Sequence, residues 1–246
     1  MGGEKIKVLE LFAGQRCIGR AFERQGHQVF SIDFDKKHKD IDWYADIGGI
    51  AADDILNRFG KPDVIWASPD CSSYSIAAIS HHRKKGESGN LLPKSEYAKY
   101  CDAVNLNVLR LISGLSPMLW FIENPRGGLR KMDFMQGLLR YTVTYCQYGD
   151  ERMKPTDIWT NHPNPRFKPM CKNRAPCHAP APRGSKTGTQ GRTGKIQRSL
   201  IPDALCDHIA NICGLELDDI RRRALSDTQR DARQLSGAFT PRHGGM

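Results

Sequence analysis

The sequence predicts an α/β protein with a doubly wound, mostly parallel sheet, because short β-type apolar runs alternate with segments of helical periodicity. The first run, KVLELF at 7–12, ends at Ala13-Gly14, and helical spacing follows over 18–24. Further strands are predicted at 28–32, 63–67 and 118–122, with crossover helices at 47–59 and 95–115. Connections of this kind place helices on both faces of one sheet.

A strand hairpin and a basic insertion follow the predicted parallel strands. The runs 141–146 and 157–160 are close enough in sequence to pair as a hairpin. The stretch 162–198 then holds nine Lys or Arg, no Asp or Glu, six Pro and four Gly, a composition typical of irregular structure. We therefore divide the chain into an α/β domain at 1–161, a basic insertion at 162–197, and a C-terminal helical segment with a tail at 198–246.

Charge and cysteine content narrow the class of protein. The net charge of +10 resides almost entirely in the basic insertion and predicts a polyanionic partner. The eight cysteines are scattered, as expected for reduced thiols. Neither a signal sequence nor an apolar membrane span is evident, so we expect a cytoplasmic, nucleoid-associated protein with no membrane partner.

Unusual residues follow four of the predicted strands: Gly14, Asp33, the pair Asp70-Cys71, and the pair Glu123-Asn124. The carboxyl ends of parallel strands meet at one edge of a sheet, where ligands bind. A glycine turn lets the backbone approach a ligand, and an acidic residue after the second strand can accept hydrogen bonds from a ribose diol. The pattern favours a nucleoside cofactor, although Gly14 to Gly19 lacks the full G-x-G-x-x-G motif.

Cys71 and Glu123 are complementary in their chemistry. A thiolate can attack an electron-poor ring while a carboxyl group protonates the ring nitrogen that gains electrons. Taken singly, Cys71 is typical of a small buried side chain and Glu123-Asn124 of a turn or helix cap. Their joint placement at two strand ends favours catalysis.

Ordered motifs in this sequence resemble those of the cytosine-C5 DNA methyltransferases. LELFAGQRCIGRAF, SIDFD, ADIG, DVIWASPDCSSYS and FIENP resemble the first, second, third, Pro-Cys and Glu-Asn-Val motifs of that family, and CQYGDERMKPTDIWTN resembles its later arginine-containing motif. The resemblance spans about 7–161, with a weaker match near 198–210. It implies a Rossmann-like fold, and the small size is similar to that of phage-encoded or prophage-encoded members.

The resemblance implies S-adenosylmethionine as cofactor, double-stranded DNA as partner and a monomeric enzyme that flips the target base into its cleft. Cys71 would add to cytosine C6, Glu123 would engage N3, Asn124 would position the segment at Pro125, and Arg152 or Lys154 would contact the base carbonyl or Cys71. The predicted cofactor-binding residues are Phe12, Ala13, Gly14, Asp33, Phe34, Asp46, Ile47 and Asp70.

The sequence departs from the family pattern in three places. Asp70 replaces the family's proline before the nucleophile, Arg16 and Cys17 replace glycines, and Pro125 replaces a valine. The Asp70 charge should raise the pKa of Cys71, unless a basic neighbour offsets it or the carboxylate points toward the amides of Ser72 and Ser73.

The basic insertion is short for a target-recognition region, and we expect it to contact phosphates. The candidates are Arg166, Lys168, Lys172, Arg174, Arg183 and Lys186. Within it, Cys171, Cys177 and His178 are candidate zinc ligands, but the spacing is not C-x2-C and no fourth ligand is evident, so the sequence predicts no metal.

Two other functions remain open from sequence. One is C5 modification of a different pyrimidine substrate, either RNA or a nucleotide. The other is a non-catalytic nucleic-acid-binding protein on a methyltransferase fold. The segment 80–86, which follows the nucleophile, is either a loop that closes over DNA or a solvated surface loop.

Overall fold

The computed structural model describes residues 4–87, 89–172, 174–179 and 194–237. The strands are β1 (Lys7–Leu11), β2 (Gln28–Asp33), β3 (Trp43–Tyr44), β4 (Val64–Ala67), β5 (Arg83–Lys85), β6 (Leu91–Pro93), β7 (Leu119–Pro125), β8 (Arg140–Thr144) and β9 (Pro155–Thr160). The helices are α1 (Cys17–Arg24), α2 (Ala52–Arg58), α3 (Ile79–His82), α4 (Glu96–Leu115), α5 (Lys195–Ser199) and α6 (Asp203–Gly237).

Seven strands form one sheet in the order β3-β2-β1-β4-β7-β9-β8. β1, β2, β3, β4 and β7 pair in parallel, while β9 is antiparallel to both β7 and β8. The predicted fold class, a Rossmann-like and mostly parallel sheet with a strand hairpin after it, is confirmed.

Both faces of the sheet are buried, and the two-residue period of the strands assigns each side chain to a face. Val64, Trp66 and Phe121 pack on the face covered by α1 and α6. Ile65 and Ile122 pack on the opposite face, against α2 and α4. Continuous apolar strand runs are typical of a sheet sandwiched between helices.

The predicted helices differ from the observed ones mainly at their starts. The segment predicted as one crossover helix at 47–59 is a 3-10 turn at Ile47–Gly49 followed by α2, because Ala51 between them is extended. The helix α4 begins as predicted, capped by the Ser95 hydroxyl, which accepts a hydrogen bond from the amide of Ala98 at 3.1 Å. Among the described residues, no helix is long and apolar enough to cross a bilayer.

The segment after Cys71 contains regular secondary structure. It forms α3 and the β5–β6 hairpin, whose turn contains Gly86 and Gly89. Arg83, at the start of β5, is buried, so the base of this hairpin is fixed to the α/β domain while Lys84 and Lys85 remain exposed.

Candidate active site

Four parallel strands end at the same edge of the sheet. Their registers align Leu11 with both Ile32 and Ala67, and Ala67 in turn with Ile122. The residues that follow these positions include Gly14, Asp33, Cys71 and Glu123, as the sequence predicts. One cleft edge therefore carries the predicted cofactor residues and the predicted catalytic residues.

The turn after β1 is joined to the end of β2. Phe12 and Gly14 adopt left-handed backbone conformations with φ of 57° and 51°. The amide of Gly14 donates to Asp33 Oδ2 at 2.9 Å, and the amide of Asp35 donates to Asp33 Oδ1 at 2.8 Å. Each carboxylate oxygen has a second lone pair, so Asp33 can still accept from a ligand.

The flanking residues fit a nucleoside. Phe34 leaves 64% of its surface exposed directly after β2, so its ring face is available for stacking on a base. Asp46 Oδ1 accepts hydrogen bonds from the Gly48 amide and the Tyr100 hydroxyl, at 2.9 Å and 2.8 Å, which fixes the turn that carries Ile47. Ala13 and Ile47 are buried.

Arg16, which stands where the family has a glycine, directs its side chain toward two acidic residues. Its guanidinium lies 2.6 Å from Glu23 and 3.9 Å from Glu10. Glu10 is buried, and burial raises its pKa to about 7 despite a hydrogen bond from the Gly19 amide and the charge of Arg16. The replacement of glycine is thus accommodated by acidic partners within this chain.

Cys71 precedes a 3-10 turn formed by Ser72–Tyr74. Asp70 Oδ1 accepts a hydrogen bond from the Ser72 amide at 2.6 Å, one of the two arrangements that the sequence leaves open. Burial, the Asp70 carboxylate and Glu123 raise the pKa of Cys71 to about 11, against the opposing charge of Lys154. The Asp70 charge therefore raises the pKa of Cys71, as predicted, although burial raises it more.

The nucleophile turn is held from two sides by contacts that sequence reasoning missed. The amide of Gly128 donates to the Tyr74 carbonyl at 2.6 Å, and a Cβ on Gly127 would lie 2.6 Å from the same oxygen. Buried Arg83 donates to the Ser73 carbonyl at 2.9 Å and pairs with Asp102 at 2.7 Å. The glycine pair after the Glu-Asn motif was the available signal for this close packing.

Glu123 is buried and accepts a hydrogen bond from the Tyr145 hydroxyl at 3.0 Å. Burial raises the pKa of Glu123, while Lys154 and the Tyr145 hydroxyl act in the opposite direction. Asn124 Nδ2 donates to the Pro69 carbonyl at 2.9 Å, and its buried Oδ1 accepts no hydrogen bond from the described part of the chain. Asn124 thus ties β7 to the segment that carries Cys71.

Two basic residues were predicted near the nucleophile, and the structure gives them different surroundings. Arg152 is buried, pairs with Asp150 at 2.5 Å and donates to the Arg198 carbonyl at 3.3 Å. Lys154 also donates to the Arg198 carbonyl, at 3.0 Å, and its charge acts on both Cys71 and Glu123. Burial lowers the pKa of Lys154. The structure favours Lys154 as the cation of the site.

The described candidates for nucleic-acid contact lie on the surface. Arg166, Lys168, Lys172 and Arg174 are all exposed to solvent. The ammonium of Lys168 donates to the Gln147 carbonyl at 3.0 Å, which holds the start of the insertion against the end of β8. Arg183 and Lys186 lie outside the described residues.

Comparisons with known proteins add independent information. No family model matches the chain. The "Probable DNA (cytosine-5)-methyltransferase" of Frog virus 3 (isolate Goorha) is 25% identical over 231 residues, covering 85% of this chain and 100% of the viral protein. Among solved structures, S. pombe Dnmt2 methyltransferase has a TM-score of 0.46 at 14% identity, covering 64% of this chain and 49% of its own. Entamoeba histolytica methyltransferase EhMeth has a TM-score of 0.46 at 14% identity, covering 64% of this chain and 52% of its own.

The sheet order and the strand-end residues define a Rossmann-like α/β protein with a ligand edge at the carboxyl ends of its parallel strands. The chain spans about half of the length of each solved methyltransferase above. The viral protein, by contrast, is matched along its entire length. This relative confirms the resemblance to the cytosine-C5 DNA methyltransferases that the motif order predicts.

Proposed function

We propose that this chain is a cytosine-C5 DNA methyltransferase that uses S-adenosylmethionine and forms a covalent bond between Cys71 and cytosine C6. The observation that carries the proposal is the placement of Cys71 after β4 and of Glu123 near the end of the neighbouring strand β7, with the charge of Lys154 acting on both side chains. The match to a viral relative of that name supports the same activity.

The proposed sequence of steps follows from the chemistry of these side chains. The Cys71 thiolate adds to C6 of cytosine, and the electron pair displaced from the ring is accepted at N3 as Glu123 donates a proton there. C5 becomes nucleophilic and accepts the methyl group. Transfer of the C5 proton to a water molecule then re-forms the C5–C6 double bond and expels Cys71 as a thiolate, which breaks the C6–S bond. N3 returns its proton to the Glu123 carboxylate, and the aromatic ring is restored.

Glu123 suits the role of proton donor because burial raises its pKa and thereby favours the neutral acid. The Tyr145 hydroxyl holds one carboxyl oxygen, which restricts the orientation of the group toward a base in the cleft. Lys154 counters the raised pKa of Cys71 and so favours the reactive thiolate. Lys154 therefore lowers the pKa of Cys71, while burial raises the pKa of Glu123 and favours its acid form.

The residues Phe12, Gly14, Asp33, Phe34 and Asp46 are proposed to bind the cofactor, with Ala13, Ile47 and Asp70 beside them. The exposed ring of Phe34 would stack on a base, and Asp33 would accept from a ribose. S-adenosylmethionine, when bound there, would supply an electrophilic methyl group.

Double-stranded DNA is the proposed substrate, with the target base flipped out of the duplex. The surface residues Arg166, Lys168, Lys172 and Arg174 would contact phosphates, which gives affinity that depends strongly on salt and little on sequence. Replacing these four residues by glutamine should weaken binding and reduce the slope of affinity against salt concentration. An unchanged slope would contradict the role of the insertion.

Trapping on DNA that contains 5-fluorocytosine tests the covalent step, because fluorine at C5 cannot leave as a proton. Wild-type protein should form a stable adduct in the presence of S-adenosylmethionine, and Cys71→Ser should form none. Cys213→Ala is the matched control, since Cys213 is buried in α6 among core residues and should leave the adduct intact. Absence of an adduct with wild-type protein would contradict the proposal.

The high pKa of Cys71 favours one alternative, a non-catalytic nucleic-acid-binding protein on the same fold. This alternative predicts DNA binding without methyl transfer. A related alternative is C5 modification of RNA or of a free nucleotide. Assays of labelled methyl transfer to duplex DNA, RNA and dCMP distinguish all three.

A further inference from the structure

Three cysteines and one histidine lie together at the start of the basic insertion. They are Cys146, which follows β8, and Cys171, Cys177 and His178. The ligand atoms of all four lie within 4.8 Å of one another. We propose that these four residues bind one zinc ion in a structural site that fixes the insertion to the β8–β9 hairpin.

The distances agree with tetrahedral coordination. Zn–S bonds of about 2.3 Å and Zn–N bonds of about 2.0–2.1 Å place tetrahedral ligand atoms roughly 3.5–3.8 Å apart. Cys177 Sγ lies 3.7 Å from Cys146 Sγ and 3.6 Å from His178 Nδ1. Cys171 Sγ lies 3.4 Å from His178 Nδ1 and 3.1 Å from Cys177 Sγ. Among these four distances, the last must lengthen most for a metal to be enclosed.

The ligand set selects the metal. Three thiolates and an imidazole are soft and borderline ligands, a combination typical of closed structural zinc sites. Four protein ligands leave no open position for water, so the site would support structure and not catalysis. On binding, each thiol releases its proton, and the zinc complex carries a net charge of about −1, which suits the surrounding basic insertion.

The fourth ligand was missed in the sequence because Cys146 stands 31 residues before Cys177. The hairpin brings it to the insertion: the 3-10 turn at Tyr145–Tyr148 lies between β8 and β9, and the amide of Cys171 donates to the hydroxyl of Thr144 at 2.9 Å. Cys146 is therefore the candidate fourth ligand that the sequence did not reveal. Adjacent Cys177 and His178 also prove able to face the same point.

Neighbouring groups support the ligands. Gln147 Nε2 lies 3.4 Å from Cys177 Sγ and can donate to the thiolate, and the amide of Ala179 donates to the Glu151 carbonyl at 3.1 Å. A donor such as Gln147 orients a metal ligand and disperses its charge, whereas the Ala179 hydrogen bond holds the backbone that follows His178. Without the ion, the segment that contains Lys172 and Arg174 would depend on a few hydrogen bonds for its position.

Elemental analysis of the purified full chain tests the proposal directly, provided that no metal-chelate resin is used. We expect about one zinc ion per chain, because one closed site has four ligands. Cys177→Ala should lose the zinc, Cys213→Ala should retain it as the matched thiol control, and His178→Cys should retain it through a site of four thiolates. Wild-type protein without stoichiometric metal, or with a disulfide between Cys171 and Cys177, would overturn the proposal.

Two further measurements on wild-type protein do not depend on the folding of any variant. Exchange of zinc for cobalt should produce a thiolate-to-cobalt charge-transfer absorption together with strong visible bands of tetrahedral cobalt. Removal of the metal by a chelator should increase tryptic cleavage after Lys172 and Arg174. Absence of the charge-transfer band, or cleavage unaffected by the chelator, would contradict the site. Neither result depends on methyltransferase activity.

Discussion

Replacing Asp70 by asparagine isolates the effect of its charge on Cys71. The amide oxygen of the asparagine would still accept the hydrogen bond that Asp70 receives from the Ser72 amide at 2.6 Å, so the turn should keep its shape. The substitution removes the second-largest cause of the raised pKa of Cys71. We therefore expect Asp70→Asn to lower that pKa and to increase the thiolate population.

The magnitude follows from the pKa of about 11 for Cys71. At pH 8 that value leaves about one thiolate per thousand molecules. A like charge beside this half-buried thiol costs about 1.4 kcal/mol, so its removal should lower the pKa by about one unit and give a tenfold gain in thiolate. Each thiolate becomes roughly threefold less nucleophilic as its pKa falls, so the net rate of attack should rise about threefold.

The assay is the rate at which Cys71 attacks a small aromatic disulfide at pH 8, with the Cys71 peptide quantified by mass spectrometry. Wild type, Asp70→Asn and Asp53→Asn are compared, since Asp53 is exposed on α2 and provides a matched loss of charge. Only Asp70→Asn should react faster. An unchanged or slower rate would refute the electrostatic argument.

Three further predictions concern other parts of the site. Glu10→Gln should stabilise the fold by up to about 3 kcal/mol at pH 8 and much less at pH 5. The pKa of Glu10 in the folded protein is raised to about 7, so wild-type protein loses folding stability as the pH rises from 4.5 through 7. Equal changes in Tm at both pH values would contradict this. Gly127→Ala should lower the free energy of unfolding by roughly 1–3 kcal/mol and reduce methyl transfer, because its Cβ would lie 2.6 Å from the Tyr74 carbonyl. Gly214→Ala in α6, where a Cβ would have no neighbour within 4 Å, should preserve both stability and methyl transfer. Phe34→Ala should weaken cofactor binding in calorimetry without lowering Tm, since 64% of Phe34 is exposed, and unchanged affinity would exclude stacking.

Six of the nine strands in the described residues and the longest predicted helix were accessible from sequence because their patterns are local, whereas the short strands β3, β5 and β6 were not predicted. The 3,4 spacing of apolar residues in 95–115 predicts α4 to within one residue of its observed start at Glu96. Apolar runs ending in Gly14, Asp33, Cys71 and Glu123 predict which residues share the ligand edge, because parallel strands end together. Which of these strand ends lie side by side depends on the order of the strands in the sheet.

The remaining features depend on contacts between distant residues. Arg83 and Asp102 pair beneath the nucleophile turn although nothing in their sequence surroundings distinguishes them from surface charges. Spacing alone also could not separate Arg152 from Lys154, whose surroundings differ because Asp150 pairs with Arg152. Cys146 joins the proposed zinc ligands only because the hairpin folds it against the insertion. In each case the surroundings of the side chain depend on its burial and on a contact that the tertiary fold creates.

The most direct test of the central claim is the amount of 5-methylcytosine in DNA from a host that lacks its own cytosine methylation and expresses this protein. Mass spectrometry of the hydrolysed DNA should detect 5-methylcytosine with wild-type protein and with Cys213→Ala. Cys71→Ser, expressed and folded to the same level, should yield none. Equal 5-methylcytosine from wild type and Cys71→Ser, or none from folded wild type that binds S-adenosylmethionine and duplex DNA, would contradict the proposed enzyme.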